Sequence, residues 1–135
     1  KGGYLVLCDR YTFTSFARDS VRGNDPEWVR ANYGFARRPD IVFYFKLPLE
    51  IALSRILEGR PKLKYFEAGM DLGLSPEIYD SFRIFQSRVM AQYDLMADEF
   101  GFTVVDATRP IHDQQKIVRG IVADRIDLAR FRGKV

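Results

Sequence analysis

An aspartate and an arginine stand side by side at positions 9 and 10, directly after the apolar run Tyr-Leu-Val-Leu-Cys at residues 4–8. A short, continuous apolar run predicts a buried strand. The pair is then expected at a strand's carboxyl end, where open α/β sheets bind their ligands. The Asp9 carboxylate could hold Mg²⁺ directly or through water, because hard cations take oxygen ligands. The Arg10 guanidinium could grip a phosphate through two parallel hydrogen bonds. An acid for metal beside a base for phosphate suits phosphoryl transfer, which asks for positioning and charge neutralisation more than covalent chemistry. The two residues alone would serve equally well as a structural ion pair at a strand end.

A second concentration of charge lies in residues 59–74, which show no helical or strand period and carry Arg60, Lys62 and Lys64 near Gly59 and Gly69. This stretch reads as a long functional loop. A basic lid can close over polyphosphate, exclude water and reopen for release. The alternative is an ordinary solvated charge run.

The elements that must position these groups follow from the pattern. A helix is expected from residue 11 to about 22, stopped by Gly23. Asp25-Pro26-Glu27 starts another, with an N-cap aspartate and proline in the first turn; it should run to the Arg38-Pro39 boundary. Residues 41–45 form a second buried strand, and Pro48 opens a helix to about Glu58. Ser75-Pro76-Glu77 opens the clearest helix, whose Ile78, Phe82, Phe85, Val89, Tyr93, Met96 and Phe100 recur at steps of three and four. Gly101 ends it. Residues 102–105 form a third strand closed by Asp106. A last helix follows Pro110, with Ile111, Ile117, Val118, Ile121, Val122 and Ile126 facing inward, and the basic tail at 130–135 is expected to fray.

Alternating strands and helices with continuous apolar strands predict an α/β fold, a parallel sheet with helices on both faces. Three strands are few for a doubly wound sheet, so N-terminal strands are expected to be missing. Residues 1–135 form a single incomplete domain in this reading. The 135 residues are 47% hydrophobic and 29% charged without a long single-sign block, which argues against disorder. No apolar stretch approaches the roughly 20 residues of a membrane helix. One cysteine and one histidine rule out an internal disulfide and argue against zinc. The net charge of +3 suits an anionic small substrate as well as nucleic acid. The basic stretch at 125–134 has no recognised nucleic-acid motif and no interleaved aromatics, so nucleic acid is not expected as a partner.

Taken together, "DRYTFTSFARDSVRG", "RRPDIVFYFKLP", "ALSRILEGR", "KYFEAGMDLGLS" and "SFRIFQSRVMAQYDLMADEFGFTVVDAT" resemble, in that order, the thymidylate kinases, a family of P-loop nucleoside monophosphate kinases. The resemblance runs from residue 4 to about 125. It implies a three-layer P-loop-kinase-like fold, ATP as phosphoryl donor with Mg²⁺, and thymidine monophosphate (dTMP) or a related nucleoside monophosphate as acceptor. It also implies a cytoplasmic homodimer pairing through helices. Carried over by position, Asp9 lies near metal and phosphates, and Arg10 grips the monophosphate. Thr14 falls close to the nucleobase. Arg18 falls where an aromatic residue often lines the base pocket, although a salt bridge on the helix surface would suit it equally. Arg55 and Arg60 stand at the start of the lid, where arginines clamp the transferring group. Tyr65 or Phe66, with Glu67, matches an aromatic–acid pair near the deoxyribose; the alternative is that the two rings fill the core beneath the lid. Arg83 can face the base or solvent.

The chain departs from the family in one large respect. It has no G-x-x-x-x-G-K-[ST] motif; its one Gly-Lys pair, Gly133-Lys134, is followed by valine. That motif's backbone cradle and lysine bind the ATP phosphates. The chain is therefore expected to be the C-terminal part of such a kinase, inactive alone. The alternative is a remnant that binds an anion or a partner chain without chemistry. Arg18-Asp19 and the stretch "AGMDLGLS" after Glu67 also depart from the family and leave the nucleobase open.

Overall fold

The computed structural model describes residues 3–131. The end of the basic tail, residues 132–135, lies outside them. Five helices surround one pair of strands: α1 (Thr12–Val21), α2 (Pro26–Asn32), β1 (Phe43–Lys46), α3 (Leu49–Gly59), α4 (Ile78–Phe100), β2 (Thr103–Asp106) and α5 (Ile111–Arg125). Short 3₁₀ turns occupy Met70–Leu72 and Leu128–Phe131. β1 and β2 run parallel, with Tyr44 opposite Val104 and Lys46 opposite Asp106. Helices cover both faces. Tyr44 stacks on Tyr93 of α4, and Lys46 pairs with Asp94 of the same helix at 2.7 Å. Phe45, on the opposite face, lies against Ile111, Gln114 and Val118 of α5.

The long α4 is the axis of the packing. One stripe, Phe85, Val89 and Met96, is buried with Phe13 and Ala17 of α1 and with Phe102. Phe82 turns the other way, into a second cluster with Leu53 of α3 and with Leu63 and Ala68 of the lid segment. The helix ends as its sequence dictates: Gly101 takes the left-handed conformation at φ +67, free of a Cβ penalty, and its N–H returns to Ala97. At the start of α2 the Asp25 carboxylate accepts from the Trp28 N–H at 2.7 Å.

Four expectations need correction. Residues 4–8 form no strand; Tyr4 is 84% exposed and Leu7 88%. An apolar run becomes a strand only where a neighbouring backbone completes its hydrogen bonds, and among the described residues β1 and β2 pair with each other alone. α2 stops at Asn32 rather than near Arg38, because the chain breaks into turns around Gly34, leaving Phe35 exposed. α5 exists, but none of its residues is fully buried, and Ile111 is exposed. It covers one face of a sheet only two strands wide, which is too narrow to enclose its apolar side. The strand boundaries lie one or two residues later than expected, so β2 includes Asp106.

Candidate functional site

α1 opens the candidate site. Asp9 and Arg10 lie immediately before it, both exposed. Arg10 has φ +63, the one described non-glycine residue in the left-handed region. Such a backbone costs roughly 1–3 kcal/mol and concentrates at functional positions. It turns the chain from residues 4–8 into the helix.

Thr14, Arg18 and Arg22 then follow at four-residue spacing, so they share one face of α1. The Thr14 hydroxyl accepts from the Tyr93 hydroxyl of α4 at 3.1 Å. Arg18 donates to the Phe66 carbonyl at 3.3 Å, and Arg22 donates to the same oxygen at 3.0 Å. Arg22 also pairs with Asp71 at 2.9 Å, its guanidinium lying 4.7 Å from the centre of the Phe85 ring. The helix face therefore looks directly onto residues 65–71. Arg18 bonds to that segment and not to Asp19.

Residues 65–71 are held from α4 as well. Gln86 donates to the Glu67 carbonyl at 2.7 Å, and the fully buried Ser81 hydroxyl donates to the Ala68 carbonyl at 2.7 Å. Three successive carbonyls, those of Phe66, Glu67 and Ala68, are each taken by a side chain from another element. Gly69 completes the seat. At φ +67 a Cβ there would stand 2.7 Å from the Phe85 side chain, so only glycine lets the backbone approach this closely. The rings of Tyr65 and Phe66 meet edge to face and stay more than half exposed. They do not fill the core; Leu63 and Ala68 do.

The arginines expected to clamp a phosphoryl group are not assembled together. Arg60 forms an ion pair with Glu67, whose carboxylate also accepts from the Lys64 N–H. Arg55 reaches the Ala107 carbonyl after β2 at 3.0 Å. Arg83 forks onto Glu50 of α3 at 2.9 and 3.3 Å and is further met by Asp80 at 3.6 Å. The hydrogen bond from Arg83 holds the Glu50 carboxyl below its ordinary range. Lys62 and Lys64 remain exposed.

A shallow hollow of about 480 Å³ opens at the carboxyl ends of the strands, lined by Lys46, Pro48, Met90, Val104, Asp106 and Thr108. Lys46 is already engaged by Asp94. Asp106 accepts from both the hydroxyl and the N–H of Thr108, and these bonds pull its carboxyl below the usual value. Among the described residues no cluster of three or more His, Cys, Asp or Glu side chains could hold a metal ion. A Mg²⁺ that keeps most of its waters and binds substrate phosphates needs only one or two carboxylates. Asp9, exposed beside Arg10, fits that requirement.

Sequence reasoning missed Arg22, Asp71, Ser81 and Gln86 as members of the site. The four-residue step from Arg18 to Arg22 was a usable signal. Ser81 and Gln86 act on backbone carbonyls, which no side-chain pattern marks.

A parallel strand pair between helices, with a left-handed Arg10 leading into α1, defines an α/β protein. Comparison with known proteins narrows this. The family model for thymidylate kinase matches residues 1–118, and the chain belongs to that family. It is 41% identical to probable thymidylate kinase 2 of Saccharolobus solfataricus over 94% of its length. To the probable thymidylate kinases of Methanocaldococcus jannaschii and Archaeoglobus fulgidus it is 32% and 31% identical, over 77% and 96% of its length. The matches span 60%, 46% and 59% of those three proteins.

Proposed function

We propose that the chain supplies the monophosphate-binding and lid half of an enzyme that transfers the γ-phosphoryl group of ATP to dTMP or a related nucleoside monophosphate. Membership of the thymidylate kinase family supports this reading. The observation that carries it is the convergence of Arg18 and Arg22 of α1 on the wall at residues 65–71, with Thr14 of the same helix bonded to Tyr93 of α4 and Asp9 and Arg10 just before the helix.

In this reading Arg10, which stands exposed with a left-handed backbone just before α1, binds the monophosphate. Thr14 and Arg18 line the nucleobase side, with Tyr65, Phe66 and Glu67 opposite. Arg60 is the lid arginine that neutralises the transferring group. Arg55, one turn before the lid end of α3, steadies the loop after β2. Arg83 would have to leave Glu50 to face the base. Asp9 would hold Mg²⁺, which supplies charge neutralisation to the phosphates. The ATP-cradling motif is absent from these 135 residues, so the chain alone is expected to lack kinase activity. We further read the enzyme as a cytoplasmic homodimer. The Arg30–Glu99 pair ties α2 to α4, and the exposed Trp28 of α2 and Leu95 of α4 offer apolar surface on those helices.

Thermal unfolding of the chain with dTMP, with ATP–Mg²⁺ and with both tests this function. Stabilisation by dTMP but not by ATP is expected, and Arg10→Ala should weaken dTMP binding by about 1.5–3 kcal/mol, the scale of a charged hydrogen bond. No response to dTMP would remove the monophosphate reading and favour the second one, a chain that binds another anion or a partner without chemistry. The absent cradle motif is what keeps that second reading in view.

A further inference from the structure

The lid segment is built in two parts of unequal freedom. From Tyr65 to Gly73 the backbone is seated: three carbonyls are taken by Arg22, Gln86 and Ser81, Ala68 is fully buried, and Gly69 packs on Phe85. From Arg60 to Lys64 the chain has one buried anchor, Leu63, and otherwise exposed or half-exposed residues. The two parts are joined across the turn by Arg60 and Glu67, whose side chains retain 29% and 27% exposure. An ion pair of this partial exposure contributes little net stability, which leaves it free to exchange for a more highly charged partner.

We propose that Glu67 is a positioning residue that holds the Arg60 guanidinium in reserve on the seated wall, to be surrendered to a phosphate-bearing ligand when the basic limb closes. Gln86 and Ser81 serve the same end one step removed, because they fix the backbone on which Glu67 stands. A carboxylate and a phosphate compete for the same fork of N–H donors, and the phosphate carries more charge. The latch thus keeps Arg60 neutralised in the empty protein and makes its release depend on ligand. The exchange rests on the phosphoryl-transfer reading above; the latch itself does not.

Amide hydrogen exchange on the chain without nucleotide tests the latch. Glu67→Gln, which preserves shape and removes the charge, should speed exchange at residues 60–64 by about fivefold, the upper end for an exposed pair. Residues 65–73 should stay within about twofold. Arg60→Gln, breaking the pair from the other side, should produce the same pattern. Inorganic pyrophosphate then separates a latch from a plain structural contact: Glu67→Gln should bind it about fivefold more tightly, and Arg60→Gln should not. Unchanged exchange at 60–64 in both variants, or equal acceleration of 65–73, would overturn the latch. Unchanged or weaker pyrophosphate binding in Glu67→Gln would overturn the exchange. Failure of the wild-type chain to respond to dTMP would remove the kinase reading and leave the nucleotide-free exchange result standing on its own.

Discussion

The α1–α4–wall region and the β1–β2–α5 region contain similar proportions of apolar side chains but bury them very differently. Phe82 and Phe85 of α4 are 2% and 0% exposed, while of the strand residues Val105 alone is buried and Phe45 and Val104 are 49% and 52% exposed. α4 has neighbours on two sides, α1 and the lid wall. The strand pair has helices over its faces but no third strand among the described residues. Burial therefore tracks the number of packing partners, not hydrophobicity, and the half of the molecule with partners is also the half that holds the candidate site.

The sharpest way to break this contrast is a pair of truncations. Phe85→Ala should cost about 3–5 kcal/mol in urea unfolding, as large-to-small core changes do. Ile111→Ala, at an exposed position of α5, should stay within about 0.5 kcal/mol. Equal losses would mean that the two regions are one core. Next in size are the glycines. Gly69→Ala drives a Cβ against Phe85 and adds left-handed strain, for about 2–4 kcal/mol. Gly73→Ala has the same sign of φ with open space around it and should cost about 1 kcal/mol. Ser81→Ala strips the donor from the Ala68 carbonyl and should cost about 1–2 kcal/mol.

The smallest effects belong to the strands and are read from pH. Burial, with Asp94 nearby, pushes the Tyr44 hydroxyl up to about 12. The folded chain then holds this proton more tightly than the unfolded one, so the contribution is complete below pH 10 and disappears as pH rises towards 12. Tyr44→Phe should flatten the alkaline limb of the stability curve. Asp106 has the opposite sign. Its carboxyl loses the proton more readily when folded, so it adds stability above its ordinary range and loses it as pH falls through the lower folded value. Asp106→Asn should flatten only the acid limb, below about pH 4.

What could be read from the sequence divides along the same line. The stripe of α4 is self-contained: period and terminal glycine sit within one segment, and Phe82, Phe85, Val89 and Met96 are buried as the period requires, although the helix starts at Ile78 with Glu77 as its N-cap rather than at Ser75-Pro76. Residues 4–8 carry an equally clear apolar signal, but a strand is a property of two segments, and the described residues give this one no neighbour. α5 errs for the same reason. Within the site, Asp9, Arg10, Thr14 and Arg18 sit on or just before one helix, where spacing fixes their relation. Arg83 was harder to place, because its partner Glu50 lies on another helix, 33 residues away. The captures by Arg22, Gln86 and Ser81 depend on where a non-periodic loop lays its carbonyls, and side-chain patterns do not record that.

Trp28 is the one tryptophan of the chain and is 60% exposed on α2, outside both buried clusters. An indole already in water changes its emission little when the chain unfolds. Tryptophan fluorescence would therefore change little overall, and what change it shows would report on α2 rather than on the Phe82 and Phe85 clusters. Near-ultraviolet circular dichroism, which senses packed aromatic rings such as Phe13, Phe100 and Phe102, would see the opposite part of the transition. The disagreement between those two signals would reveal whether the molecule comes apart in one step or two.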